Sequence, residues 1–226
     1  FPEAGTAIRR RQVIVDSTAP RCGAAPIERM NLALFDFDGT ITTREMLPDF
    51  LHYSIPKRRL QIGKLALAPL IAGYKMGLVS GSLLRATIVW LGYARASVDD
   101  YARKGQSFAT EMLPGVLRPE VMERIRWHQL QGDQVAVVSG AFDIYLSHWC
   151  RQHGLDLICS SLEHRNGRLT GRYLGKQCVR TEKSRRVRER YDLAQYAEVY
   201  AYGDTVEDEE LLAIAHRKFY QGKERP

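Results

Sequence analysis

Asn31-Leu32-Ala33-Leu34-Phe35-Asp36-Phe37-Asp38-Gly39-Thr40 is an apolar run of strand length that ends in a carboxylate and passes directly into Asp-Gly-Thr. A parallel strand buried on both faces reads this way, and it delivers polar residues to its carboxyl edge. The same grammar returns at residues 134–138, which run into Ser139-Gly140, and at 199–202, which run into Gly203-Asp204. Residues 156–160 and 217–220 complete five candidate strands. Helical patterns at 118–131, 144–153, 182–191 and 208–215 separate them. The alternation predicts an α/β fold, a doubly wound Rossmann-like parallel sheet whose ligands bind beyond the strand carboxyl ends. Asn166-Gly167, between residues 162–165 and 168–173, is a hairpin-turn signal and predicts a small excursion from that sheet.

Residues 44–116 interrupt the alternation with helical, apolar-rich sequence at 46–53, 57–76, 80–91 and 98–112. They are the candidate for a helical cap inserted into a core made of 30–43 and 117–226. The apolar runs at 65–72 and 86–91 raise the question of a membrane. Lys64, Lys75 and Arg85 divide them below the length of about 20 residues that a spanning helix needs. Burial in a small helical bundle is preferred over shallow contact with a membrane or lipid tail.

A chain of 226 residues can bury a full core without staples. Cys22, Cys150, Cys159 and Cys178 form no CxxC pair, and the six histidines form no HxH or HExxH cluster. Neither zinc nor a disulfide framework is suggested, and a reducing cytoplasm fits best. The net charge of +7 is compatible with nucleic-acid binding, attraction to an anionic surface or a field that favours anionic substrates, and charge alone does not choose among them. Much of the excess lies in 180–190, which read as a solvated basic helix face. No aromatic-interleaved basic motif points to nucleic acid, and nothing assigns an oligomeric state. Residues 1–29, with Arg9, Arg10 and Arg11 and no clear period, are expected to be an N-terminal extension to a compact domain that starts near Met30; they lack the apolar core of a signal peptide.

Two carboxylates two residues apart at a strand end can divide a phosphoryl transfer between them. One attacks phosphorus; the other protonates the leaving oxygen and then deprotonates water. A lone DxD can equally be an Asx-turn pair. The order and spacing of DFDGT, VSG, a downstream lysine and GDTVED resemble the four motifs of the haloacid dehalogenase superfamily. The likeness spans residues 32–212.

That resemblance implies a phosphate-accepting nucleophile at Asp36 and a general acid/base at Asp38. The second aspartate, absent from dehalogenases of the superfamily, favours phosphoryl chemistry. It implies that Ser139 and Gly140 bind the phosphoryl oxygens, although Ser139 could also cap a helix over 141–150. The third-motif lysine maps onto Lys183, because Cys178-Val179-Arg180-Thr181-Glu182-Lys183 sits where phosphoserine phosphatases carry Cys-x-Gly-x-x-Lys. Arg180 replaces that glycine, and Lys176 is the fallback. The resemblance further implies a Mg²⁺ site made of Asp36, the Asp38 backbone carbonyl and Asp204, with Asp208 as a ligand or as a partner behind the ligands.

An insertion between the first and second motifs, together with VSGAFD, is similar to subfamily IB, which includes phosphoserine phosphatases and a phosphatidylglycerophosphate phosphatase. Glu45 then occupies the position that recognises a substrate ammonium, and Arg85 loosely resembles the arginine that takes a substrate carboxylate. Glu45 could equally be a helix-start carboxylate. The expected partner is a small phosphorylated metabolite such as phosphoserine or another amino or alcohol phosphate. A more apolar or lipid-linked phosphomonoester is the alternative, because the cap is more aliphatic than a two-carbon amino acid needs. A receiver-like domain would need neither the second aspartate nor such a cap, whereas a noncatalytic anion-binding protein on the same fold stays open and would be favoured by inertness toward an aryl phosphate with Mg²⁺.

Overall fold

The computed structural model describes residues 29–226; the extension through residue 28, with Arg9, Arg10, Arg11 and Cys22, lies outside them. β1 (Leu32–Phe35) has all four side chains fully buried. It pairs in parallel with β2 (Gln134–Phe142) on one side, and on the other with β6 (Val199–Gly203), where Leu32 faces Gln134 and Val199 respectively. β3 (Asp156–Ser160) extends the sheet beyond β2, and β7 (Arg217–Tyr220) and β8 (Lys223–Arg225) extend it beyond β6, giving the order β3-β2-β1-β6-β7-β8. Only β8 runs antiparallel. The chain leaves β1 toward β2 and β3 and later returns to build β6 and β7, so the direction of winding reverses beside β1. A crevice beyond the carboxyl ends of β1 and β6 follows from that reversal.

Period-two alternation sends Ala33, Phe35, Val135 and Val137 to one face of the sheet, and Leu32, Leu34, Ala136 and Val138 to the other. The first face packs against α5 (Pro119–Leu130) and α6 (Asp143–His153), through residues that include Met122, Ile125, Tyr145 and Trp149. The second packs against α7 (Thr181–Arg190) and α8 (Glu209–Leu212), through Val187, Leu211 and Leu212. The structure therefore has the doubly wound α/β architecture that the sequence predicts.

Between β1 and α5 lie α1 (Leu47–Ser54), α2 (Lys57–Lys75), α3 (Gly81–Tyr93) and α4 (Val98–Glu111). Ser80 and Ser97 cap α3 and α4 by accepting from the Leu83 and Asp100 amides. Phe50 joins this bundle to the core, with its ring centroid 5.1 Å from Phe108 on α4 and 4.9 Å from Tyr145 on α6. The two chain crossings are tied together by a Thr42–Leu117 bridge, with the Thr43 amide donating to Val116 and the Arg118 amide to Ile41. The hairpin of β4 (Leu162–Arg165) and β5 (Arg168–Tyr173) turns at Asn166-Gly167 and reaches up to the bundle. There Arg95 and Val98 amides donate to Leu169 and Gly167, and the Leu169 amide donates to Ala96. No helix among the described residues is long and apolar enough to cross a membrane.

Two elements differ from the sequence reading. β2 continues through Ser139-Gly140 to Phe142, with an irregular register against β3 between Val138 and Phe142. The helix expected over 208–215 is the single short turn α8 followed by irregular chain, because Ala213 to His216 must descend to start β7. β8 is absent from the sequence reading, since three polar residues after a Gly222 turn carry no alternation.

Gly105 lets α4 approach α6 closely: a Cβ built there would lie 2.5 Å from the Ile144 carbonyl oxygen. Gly105→Val is expected to cost about 1–3 kcal/mol through this overpacking, read as a lower urea midpoint at unchanged slope.

Candidate active site

The segment after β1 is shaped by Gly39. Its φ of +82° is open to glycine, and a Cβ there would fall 2.2 Å from the Asp204 carboxylate. This turn sets Asp36, 4% exposed, at the strand end and brings Asp38 beside it. Oδ1 of Asp38 accepts the Met46 amide at 2.9 Å, so the carboxyl is fixed by the first residues of the bundle. Arg118 donates from Nε to the carbonyls of Gly39 (3.1 Å) and Thr42 (3.2 Å), which ties the turn to the base of α5. Thr40 donates its hydroxyl to Asp204 at 3.2 Å across to the end of β6.

α7 brings in the cation. Lys183 is 3% exposed, and its Nζ lies 2.5 Å from Asp36 Oδ1 and 2.5 Å from Asp208 Oδ1. The other Asp208 oxygen accepts from the Asp204 and Thr205 amides and the Thr205 hydroxyl at 3.1–3.2 Å. Thr205 and Asp208 form a capping box in this way. Lys176, the fallback, is an exposed residue of the loop before α7. Arg180 stands at φ +52°, ψ −129°, backbone suited to glycine, and its amide donates to the Glu207 carbonyl at 3.1 Å. The loop therefore keeps the geometry of a glycine with an arginine in place.

Charge at this edge is unbalanced. One oxygen from each of Asp36, Asp204 and Asp208 falls within 4.8 Å of the others, and Lys183 is the only ammonium among them. Burial first, with Asp208 and Asp38 nearby, pushes the Asp36 carboxyl well above the usual range despite Lys183. Burial pushes Asp38 up to about 7, opposed by the Met46 amide and assisted by Glu45. Burial and then Asp208 raise Asp204. Burial opposes the charge of Lys183, but Asp36 and Asp208 outweigh it and hold the ammonium firmly protonated. A donor set made wholly of hard carboxylate oxygens with excess negative charge fits a divalent cation such as Mg²⁺.

Ser139 is fully buried in β2, and its hydroxyl accepts the Ala141 amide at 3.1 Å. The expectation that it caps a helix over 141–150 is corrected: the strand runs past it, and α6 starts at Asp143. Gly140 leaves no room for a Cβ, which would meet Val179 at 2.9 Å. Asp36, Asp38, Ser139, Gly140, Lys183 and Asp208 line one crevice of about 70 Å³, together with Glu45 and Arg85 from the bundle. Glu45 is exposed and has no hydrogen-bond or ion-pair partner among the described residues. Arg85 is already engaged, with Glu207 at 2.7 Å and Gln177 at 3.2 Å. Asp204 stands behind Gly39 and Thr40, in an adjoining cavity.

Thr40, Arg118 and Glu207 escape the sequence reading. Thr205 was legible in principle, because Thr205-x-x-Asp208 is a capping-box pattern. Arg118 acts through two carbonyls 76 and 79 residues away, for which no local pattern exists.

Residues 33–213 match the family model described as haloacid dehalogenase-like hydrolase. The chain is 32% identical to protein CicA of Caulobacter vibrioides, over 84% of this chain and 85% of that one. It is 26% identical to a histidinol-phosphatase of Neisseria meningitidis serogroup C, over 81% and 86% respectively. A solved phosphoserine phosphatase, carrying an analogue of its phospho-aspartyl intermediate, shares the fold with a TM-score of 0.60 at 21% identity, over 84% of this chain and 86% of that one.

The strained residue of the loop is open to test. Arg180→Gly is expected to raise stability by about 1 kcal/mol, the relief of a disfavoured backbone less the entropy of glycine. Arg180→Ala, which keeps the Cβ, is expected to give no such gain in the same urea titration.

Proposed function

The chain belongs to the haloacid dehalogenase-like hydrolase family, and from that premise we propose that it is a Mg²⁺-dependent phosphomonoesterase working through an aspartyl phosphate. The observation that carries this reading is the buried Asp36–Lys183–Asp208 chain at the end of β1, with Asp38 held beside it by a main-chain amide. Asp36 attacks phosphorus, an O–P bond forms as the bond to the leaving alcohol breaks, and Asp38 gives that alcohol its proton. Asp38 then takes a proton from water as the water attacks the same phosphorus, releasing phosphate and restoring the Asp36 carboxylate. Ser139, the backbone at Gly140 and Lys183 hold the phosphoryl oxygens, and burial excludes competing water. Asp36, Asp204 and the Asp38 carbonyl would hold Mg²⁺, whose charge would offset that of the phosphoryl group. Asp208, with both oxygens already engaged, positions Lys183 and the loop of Asp204.

The substrate in this reading is a phosphorylated small alcohol bearing an amine. Glu45, unpaired at the mouth of the crevice, is the receiver for the ammonium. The guanidinium of Arg85 is offset by Glu207, so a substrate carboxylate would have to displace that partner. The names of the relatives, a histidinol-phosphatase and a phosphoserine phosphatase, support an alcohol of this kind.

Asp36→Asn is expected to keep the fold and lose essentially all release of phosphate from 4-nitrophenyl phosphate in Mg²⁺. Turnover near the wild-type rate would refute the nucleophile. Chelation is expected to abolish that release and added Mg²⁺ to restore it, with Asp204→Ala shifting the Mg²⁺ needed for half activity upward; full activity in chelator would refute the metal. Glu45→Gln is expected to lower kcat/KM about tenfold for phosphoethanolamine, phosphoserine and histidinol phosphate, in line with a lost charged hydrogen bond. It should leave 4-nitrophenyl phosphate nearly unaffected. An equal fall for all four would make Glu45 a helix-start residue.

A further inference from the structure

The phosphate crevice does not end at the bundle. Glu45, Leu47 and Arg85 line both the crevice and a second cavity of about 330 Å³ that lies between α1, α2 and α3. Beyond those three residues the wall is mainly aliphatic, with Leu51, Leu67, Ile71 and Ile88 among its side chains, and it also includes His52, Arg59, Lys64 and Tyr74. The crevice itself, at about 70 Å³, holds little more than a phosphoryl group. Whatever alcohol that group is attached to must leave the crevice, and the residues shared by the two cavities mark a way out that passes Glu45. An aliphatic cavity of this size is in the range of small-ligand pockets, and it exceeds what a two-carbon amino alcohol could fill.

From this continuity we infer that the leaving alcohol carries an apolar body, which passes Glu45 and seats in the cavity between α2 and α3. The inference rests on the phosphomonoesterase reading and narrows its substrate class. Specificity is then divided by distance from phosphorus: the charged mouth reads the atoms next to the ester, and the aliphatic cavity reads the far end. Gly63 offers a means of closing the cavity without disturbing the crevice. It lies in the wall contributed by α2, and a Cβ built there meets nothing within 4 Å. A large side chain at this position has open space to occupy, and replacing a mid-helix glycine favours the helix.

The experiment is a homologous series of ethyl, butyl and hexyl phosphate, assayed for phosphate release in Mg²⁺ alongside 4-nitrophenyl phosphate. With about fourfold per buried methylene, kcat/KM for hexyl phosphate is expected to exceed that for ethyl phosphate by roughly two-hundredfold over the four added methylenes. In Gly63→Phe the hexyl-to-ethyl ratio should fall to within a few-fold of one. Calorimetry of hexylphosphonate and ethylphosphonate on the wild-type protein gives the same comparison without turnover, and the hexyl compound should bind at least tenfold more tightly. A flat series with ethyl and 4-nitrophenyl phosphate both hydrolysed, or equal binding of the two phosphonates, overturns the apolar seat and leaves the phosphomonoesterase reading standing. Tighter binding of hexylphosphonate by a protein that hydrolyses none of the phosphates keeps the seat and overturns the phosphomonoesterase reading.

Discussion

Lys183 is the constraint around which the rest is arranged. Burying an ammonium and two carboxylates at a sheet edge costs several kcal/mol of lost hydration for each ion, and only close pairing in the interior offsets it. The pairing here depends on three separate pieces of chain: the end of β1 for Asp36, the first turn of α7 for Lys183 and the capping box after β6 for Asp208. Any one displaced would leave an uncompensated buried charge. That cost explains why the surrounding loops tolerate local expense, such as the backbone of Arg180, to keep the amide-to-carbonyl link with Glu207.

The same economy is visible beneath the site. His128 on α5 is fully buried between Asp133, 2.7 Å from Nδ1, and the Tyr202 hydroxyl, 2.9 Å from Nε2. Tyr202 stacks on Phe35 with ring centroids 4.1 Å apart. This polar chain crosses from the helix layer to the strand that precedes Gly203-Asp204. It is satisfied at both ring nitrogens, so it stiffens the two strands whose ends carry the carboxylates rather than leaving a polar defect under them.

The central part of the fold was legible because burial on both faces leaves a plain record. Residues 32–35, 135–138 and 199–202 are apolar without interruption, and each ends in the polar residues that the crevice gathers. The hairpin was legible from Asn166-Gly167 alone. Legibility failed where structure depends on partners distant in sequence. The continuation of β2 past Ser139 is set by its register against β3, and the shortness of α8 by the need to reach β7. Arg85 could be placed at the crevice from a loose likeness, but its pairing with Glu207, 122 residues on, could not. Asp36, Asp38, Lys183 and Asp208 meet in one crevice as their motifs imply.

The hairpin of β4 and β5 restricts how the helical bundle can move over the sheet. The helical bundle is fastened below by the Thr42–Leu117 crossing and above by three main-chain hydrogen bonds to residues 167 and 169. A roof nailed along two sides does not swing open as one piece without breaking those bonds. Arg85 pins α3 as well, to Glu207 and Gln177, so the element with the fewest ties to the sheet is the long α2, which packs chiefly on α3 and α1 and carries the exposed Ile62 and Leu65. Any opening that leaves those bonds intact is a local bending of α2, not a rotation of the whole bundle over the sheet.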